Sequence, residues 1–177
     1  MILVQSGVMP DWHYAFQNAC HILGAPPEVK PYHPQFEAGQ CLRFRLVANP
    51  LRKVSRNSLG ASGKPFDEGW QGKEVPVPTA ELDKWLERRA EPSWTCPKNS
   101  ESTQRPPGFR LQTISIVRTG YVYVNHGQDQ TGGRRIRLAR YEGSLMVTDS
   151  ENFRNTISRG IGPGKAFGFG LLSVAPM

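Results

Sequence analysis

Three cysteines in 177 residues, Cys20, Cys41 and Cys96, are too few and too widely spaced for a disulfide framework, a CxxC redox pair or a zinc knuckle. They read as buried or incidental thiols. No apolar run approaches the eighteen or so residues of a membrane span, and the N-terminus lacks the basic start and small-residue cleavage site of a signal peptide. The expectation is a cytoplasmic protein with no membrane partner. Acidic residues are sparse and scattered, so no metal centre is indicated, and no Ser/His/Asp or Cys/His set announces nucleophilic catalysis. No metal and no cofactor is expected.

What is present describes a folded chain. Apolar residues make up 38% and charged residues 21%, the balance of a globular protein of one ordinary or two small domains. Lys+Arg 22 against Asp+Glu 15 leaves a formal charge of +7. A polyanion is a natural partner for such a surface, because neutralising phosphates releases counterions without any sequence reading.

The chain opens on "MILVQS", which reads as the interior of a strand, and "DWHYAFQNACHILG" follows with Trp12, Phe16, Cys20 and Leu23 at helical spacing. His13 and His21 on its polar face are too far apart for one metal and read as solvated. After a Pro-rich connector, "CLRFRLVANP" alternates cleanly: Leu42, Phe44 and Leu46 face one way, Arg43 and Arg45 the other. A basic, Ser- and Gly-rich stretch with Arg52, Lys53, Arg56 and Lys64 reads as a long loop. "TAELDKWLERRA" is a helix capped by Thr79, with acids at its start, Arg88 and Arg89 at its end, and Leu82, Trp85 and Leu86 as its buried stripe. "FRLQTISIVRTGYVYVNH" and "RRIRLARYEGSLMVTD" then form a long hairpin, with Arg134, Arg135, Arg137 and Arg140 on the returning arm. Thr148 and Glu151 have capping-box spacing ahead of a helix that carries Phe153, Ile157 and Ile161 on one face, and "LLSVAP" is the last strand.

From Cys41 onward the order is β-α-β-β-α-β. That is an α+β, ferredoxin-like (RRM-like) unit. Residues 1–40 read as the C-terminal part of a second such domain, and residues 41–177 as a complete one.

Two features carry chemistry. "GIGPGKAFGFG" holds five glycines in eleven residues before the final strand. It is no Walker A loop, since Arg159 and Ala166 stand where glycine and Ser/Thr are needed, and it closes a helix where the dinucleotide fingerprint opens one. "KAFGFGLL" partly echoes an RNA-recognition signature, although that motif belongs on a third strand. Two readings stand: Gly162, Gly164 and Lys165 present bare backbone and a charge to a sugar-phosphate chain, or the glycines let the crossover pass close to a neighbouring element. The hairpin arginines divide similarly, between the groove of a nucleic-acid stem and the solvation of an exposed edge. His126 is the only histidine near the hairpin that could act as a general acid or base, and a solvated loop residue is its plainer reading.

The glycine run, together with "CLRFRLVANPLRK" and "RYEGSLMVTD" in that order, resembles the CasE (Cse3) family, the CRISPR repeat-RNA endoribonuclease subunit of the type I-E Cascade complex. "MILVQSGVMPDW" is similar to that family's strand near the end of its first domain. The resemblance implies two ferredoxin-like domains gripping a repeat stem-loop, with Arg43, Arg45, Lys53, Arg134, Arg135, Arg137, Arg140, Gly162, Gly164 and Lys165 as the RNA-binding set. It also implies metal-independent cleavage by 2'-hydroxyl attack, retention of the guide RNA and assembly with other Cascade subunits. The family's catalytic histidine and tyrosine lie in the first helix of the first domain, and nothing in this chain corresponds to them; His13 does not inherit the role. The expectation is a chain begun at an internal methionine or a natural remnant, with cleavage impaired and some RNA binding retained. A non-catalytic RRM-like RNA-binding module and a structural ribonucleoprotein subunit are the competing readings.

Overall fold

The computed structural model describes residues 6–19, 24–25, 28–60, 63–90, 106–124 and 134–177. The chain divides into two compact units, Met1–Gln35 and Phe36–Met177. In the first, helix α1 spans Trp12–Ala19, and the Asp11 carboxylate accepts from the Tyr14 amide at its start. The opening strand, Cys20 and Leu23 lie outside the described residues.

In the second unit the alternation in "CLRFRLVA" becomes strand β1, Cys41–Ala48, with Leu42, Phe44, Leu46 and Ala48 buried. The stretch read as a loop contains two short strands, β2 (Leu51–Lys53) and β3 (Glu74–Pro76), paired antiparallel. Three-residue strands are too short to show a period in sequence. Helix α2 (Leu82–Ala90) leads to the hairpin of β4 (Phe109–Val124) and β5 (Arg134–Val147). Helix α3 (Ser150–Arg159) leads to β6 (Leu172–Pro176). The four long strands form one sheet in the order β4-β5-β1-β6, every neighbouring pair antiparallel. The connection from β1 to β4, which flank β5, carries β2, β3 and α2, and α3 joins β5 to β6, which flank β1.

One sheet face makes the core with both helices. Leu42, Phe44, Leu46, Tyr141, Leu145 and Val147 pack with Leu82, Trp85 and Leu86 of α2 and with Phe153 and Ile157 of α3. Trp85 is the hub: its ring stacks on Tyr141, with centroids 6.0 Å apart, and its Nε1–H donates to the Leu51 carbonyl. Tyr141 in turn donates its hydroxyl proton to the Leu82 carbonyl, and burial pushes its pKa well up.

Both expected caps are different in the structure. Thr79 belongs to a 3-10 turn, Thr79–Glu81, that precedes α2, and it makes no cap there. At α3 the cap is Asp149, not Thr148: the Asp149 carboxylate accepts from the Asn152 amide. The helix begins at Ser150, so Asp149 is the residue directly before it and Thr148 stands one position too early to cap it; both donate their amides to the Gly108 carbonyl. The Asn152 amide holds the Asp149 carboxyl below the usual range. A carboxylate depressed on folding stabilises above its unfolded pKa and loses that effect as pH falls through the folded one. Asp149→Ala is therefore expected to lower the urea midpoint at pH 7 and to change it less near pH 3, with the unfolding slope unchanged.

Candidate nucleic-acid interface

The sheet face away from the helices carries a basic, polar patch between Arg43 and Arg140, bordered by Met146 and Val47. Cross-strand register lines it up in rows: Arg43 with Ser144 and Ala175, Arg45 with Glu142 and Ser173, and Arg140 with Arg118. Glu142 is the hub of its charges. It accepts from Arg45 Nε at 2.9 Å and from Arg140 Nε at 3.0 Å, and Arg140 Nη2 reaches the same oxygen. The Arg140 bonds first, and then Arg45, hold the Glu142 carboxyl below the usual carboxylate range. One acid thus organises this face and leaves it a net positive charge from Arg43, Arg45, Arg118 and Arg140. Glu142→Gln is expected to raise affinity for an RNA stem roughly threefold, because it removes the one counter-charge in the row.

Strand alternation separates the hairpin arginines. Arg140 faces the open side, whereas Arg135 and Arg137 share the other side with Tyr121 and Tyr123, their register partners being Tyr123 and Tyr121. The Arg135 guanidinium lies 3.6 Å from the Tyr121 ring centroid. Arg137 is only 9% exposed and donates from Nη2 to Thr79 Oγ1 at 2.8 Å, while Tyr123 is 72% exposed. Arg134 opens the strand. Lys53 is exposed but belongs to the small β2–β3 sheet, so it is not a member of either arginine group.

The glycine loop is held at the end of β1. Gly170 donates its amide to the Val47 carbonyl at 2.7 Å and accepts from the Ile161 amide at 2.8 Å. Val47 is the register partner of Arg140, so loop and open face meet at one end of the sheet. Close packing is evident at several of the glycines. At Gly162 a Cβ would come within 3.0 Å of the Trp85 ring, which is close packing against a neighbour. Gly164, with φ 84°, would place a Cβ 3.1 Å from the Phe169 ring, and it precedes the 3-10 turn Lys165–Phe167, where Lys165 is exposed. Asn49, buried beside Gly164, has a side-chain oxygen with no hydrogen-bond partner.

His126 and the hairpin turn lie outside the described residues, as does Cys96. Cys41 is an exposed free thiol at the start of β1, not a buried one. Among the described residues no group of three or more His, Cys, Asp or Glu could hold a metal ion, and no helix is long and apolar enough to cross a membrane. Arg118 and Tyr121 escaped sequence reasoning. Arg118 stands alone among apolar residues, and the pairing of Tyr121 with Arg135 and Arg137 depends on hairpin register.

Fold and site define a mixed α+β protein whose antiparallel sheet has one face in the core and one open and basic. Residues 1–176 match the family described as CRISPR associated protein, and the chain belongs to it. It is 34% identical over 186 residues to the CRISPR-associated endoribonuclease Cse3 of Thermus thermophilus, covering 99% of this chain and 73% of that one. To the CRISPR system Cascade subunit CasE of Escherichia coli it is 29% identical, covering 85% of this chain and 65% of the relative. A solved structure of Thermus thermophilus Cse3 bound to an RNA representing a pre-cleavage complex superposes with a TM-score of 0.59 at 36% identity, covering 83% of this chain and 59% of that one. The chain therefore spans about three fifths of the length of that solved relative.

Proposed function

We propose that this protein binds the stem-loop of CRISPR repeat RNA and serves in the processing that makes guide RNA for a Cascade complex. The observation that carries the reading is the open sheet face. Arg43, Arg45, Arg118 and Arg140 lie on it in register, and the glycine loop with Lys165 adjoins it through Gly170 and Val47. The strand order β4-β5-β1-β6 with two crossing helices supports a ferredoxin-like architecture for Phe36–Met177. Relatives named as a CRISPR endoribonuclease and a Cascade subunit, one of them solved with RNA, supply the substrate class and the assembly.

The competing RRM-like mode stacks single-stranded bases on aromatic side chains of the sheet face. Among the described residues, the rows on the open face mix arginine, serine, threonine, alanine and Glu142 with aliphatic or sulfur-bearing residues such as Val47, Cys41 and Met146, but hold no aromatic side chain. Such a face favours phosphates of a folded stem over splayed bases. The test is binding of the purified chain to a labelled repeat hairpin and to a scrambled-stem control, with the same samples examined for cutting at the stem base. Preference for the hairpin that persists at about 0.15 M salt supports the reading. Equal, weak binding to both RNAs would sink it.

A further inference from the structure

Arg137 is an unusual member of a basic group. It is 9% exposed, and no carboxylate lies within ion-pair distance of it among the described residues. Its Nη2 donates to Thr79 Oγ1 at 2.8 Å, its guanidinium lies 5.1 Å from the centroid of Tyr121, and its Nε is buried without a partner. Tyr121 carries a second guanidinium, that of exposed Arg135, at 3.6 Å. A continuous line of contacts thus runs from Thr79, in the turn before α2, through Arg137 and Tyr121 to Arg135.

We propose that Arg137 is a positioning residue that latches the β4–β5 hairpin to the Thr79 turn and, through Tyr121, orients Arg135 toward the RNA stem. This rests on the stem-binding reading above. A guanidinium buried this deeply cannot reach a phosphate without leaving its hydroxyl partner. Its planar fork can hold Thr79 with one edge and cover the tyrosine with its face, which a lysine cannot do. Fixing Tyr121 beneath Arg135 removes rotamer freedom that a long exposed side chain would otherwise lose on binding. The uncompensated charge also adds to the positive field at that end of the hairpin.

The test uses the full chain, a labelled synthetic RNA stem-loop, and an unpaired strand of the same composition. Arg135→Ala is expected to lose roughly tenfold in affinity and to flatten the salt dependence by about one phosphate contact. Thr79→Val, which removes the hydroxyl that accepts from Arg137, should lose several-fold in affinity, and Thr79→Ser should restore wild-type binding. Because Thr79 acts through Arg135, the double variant Thr79→Val/Arg135→Ala should bind no more weakly than Arg135→Ala alone. Wild-type affinity in Thr79→Val, failure of Thr79→Ser to rescue, or losses that multiply in the double variant would each overturn the latch. Side-chain Nε relaxation of arginine-labelled, RNA-free protein is a second readout: Arg135 should be ordered in the wild type and mobile in Thr79→Val. If the wild type shows no preference for the stem-loop, the stem-binding reading fails, and unchanged Arg135 relaxation in Thr79→Val would separately overturn the latch.

Discussion

Gly143→Ala is expected to cost about 3 kcal/mol or more of stability, one of the largest losses any single methyl could cause in this chain. Gly143 lies in β5 opposite Phe44 on one side and Ile114 on the other. A register shift between Leu111 and Thr113 leaves an extra residue in β4, and such a bulge bends the strand. The Thr113 carbonyl oxygen consequently lies 2.1 Å from where a Gly143 Cβ would stand, with the Phe44 ring at 3.0 Å. The obstacle is backbone in the middle of a sheet, so relief requires β4 and β5 to separate. Urea unfolding should show a midpoint lower by ~1.5 M, taking a slope of ~2 kcal/mol per M. Gly120→Ala is the control, since nothing lies within 4 Å of its added methyl. Equal midpoints for the two variants would refute this account of Gly143.

The second large effect concerns binding. Replacing Arg43, Arg45 and Arg135 together by Gln is expected to weaken stem-loop binding roughly a hundredfold at physiological salt and to lower the salt-dependence slope by ~2.7, or ~0.9 per lost phosphate contact. All three are exposed, and they stand on two sides of the sheet. Their loss therefore tests whether the RNA wraps past the β4–β5 edge. Fluorescence anisotropy over a salt series gives both quantities, and a triple variant with an unchanged slope would remove these arginines from the interface.

Much of this architecture was legible in residue patterns. The alternation of Leu42, Phe44 and Leu46 with Arg43 and Arg45 marked both the core face and the basic face of β1, and the stripe of Leu82, Trp85 and Leu86 marked the buried side of α2. What the pattern hid were effects of tertiary geometry. Capping-box spacing pointed to Thr148, whereas the helix starts at Ser150 and is capped by Asp149, a one-residue boundary that the pattern does not fix. Thr79 looked like a cap because nothing local shows that Arg137, 58 residues away, takes its hydroxyl. The four hairpin arginines looked like one cluster, although alternation alone sets Arg137 and Arg140 on opposite faces. Contacts with Thr79 and Tyr121 accompany the burial of Arg137. The glycine run gave no choice between close packing and backbone display; Gly162 against Trp85 and Gly164 against Phe169 show the packing, and display to RNA is left to the binding experiments.

The most direct test of the account is a titration of the nitrogen-15-labelled chain with a repeat stem-loop, followed by backbone amide shifts. Large shifts are expected at Arg43, Arg45 and Arg140 on the open face, at Arg135 on the hairpin, and at Gly164 and Lys165 in the loop. The outer face of α2, at Asp83 and Glu87, should stay silent. Shifts confined to α2, or absent from both the open face and the glycine loop, would contradict it.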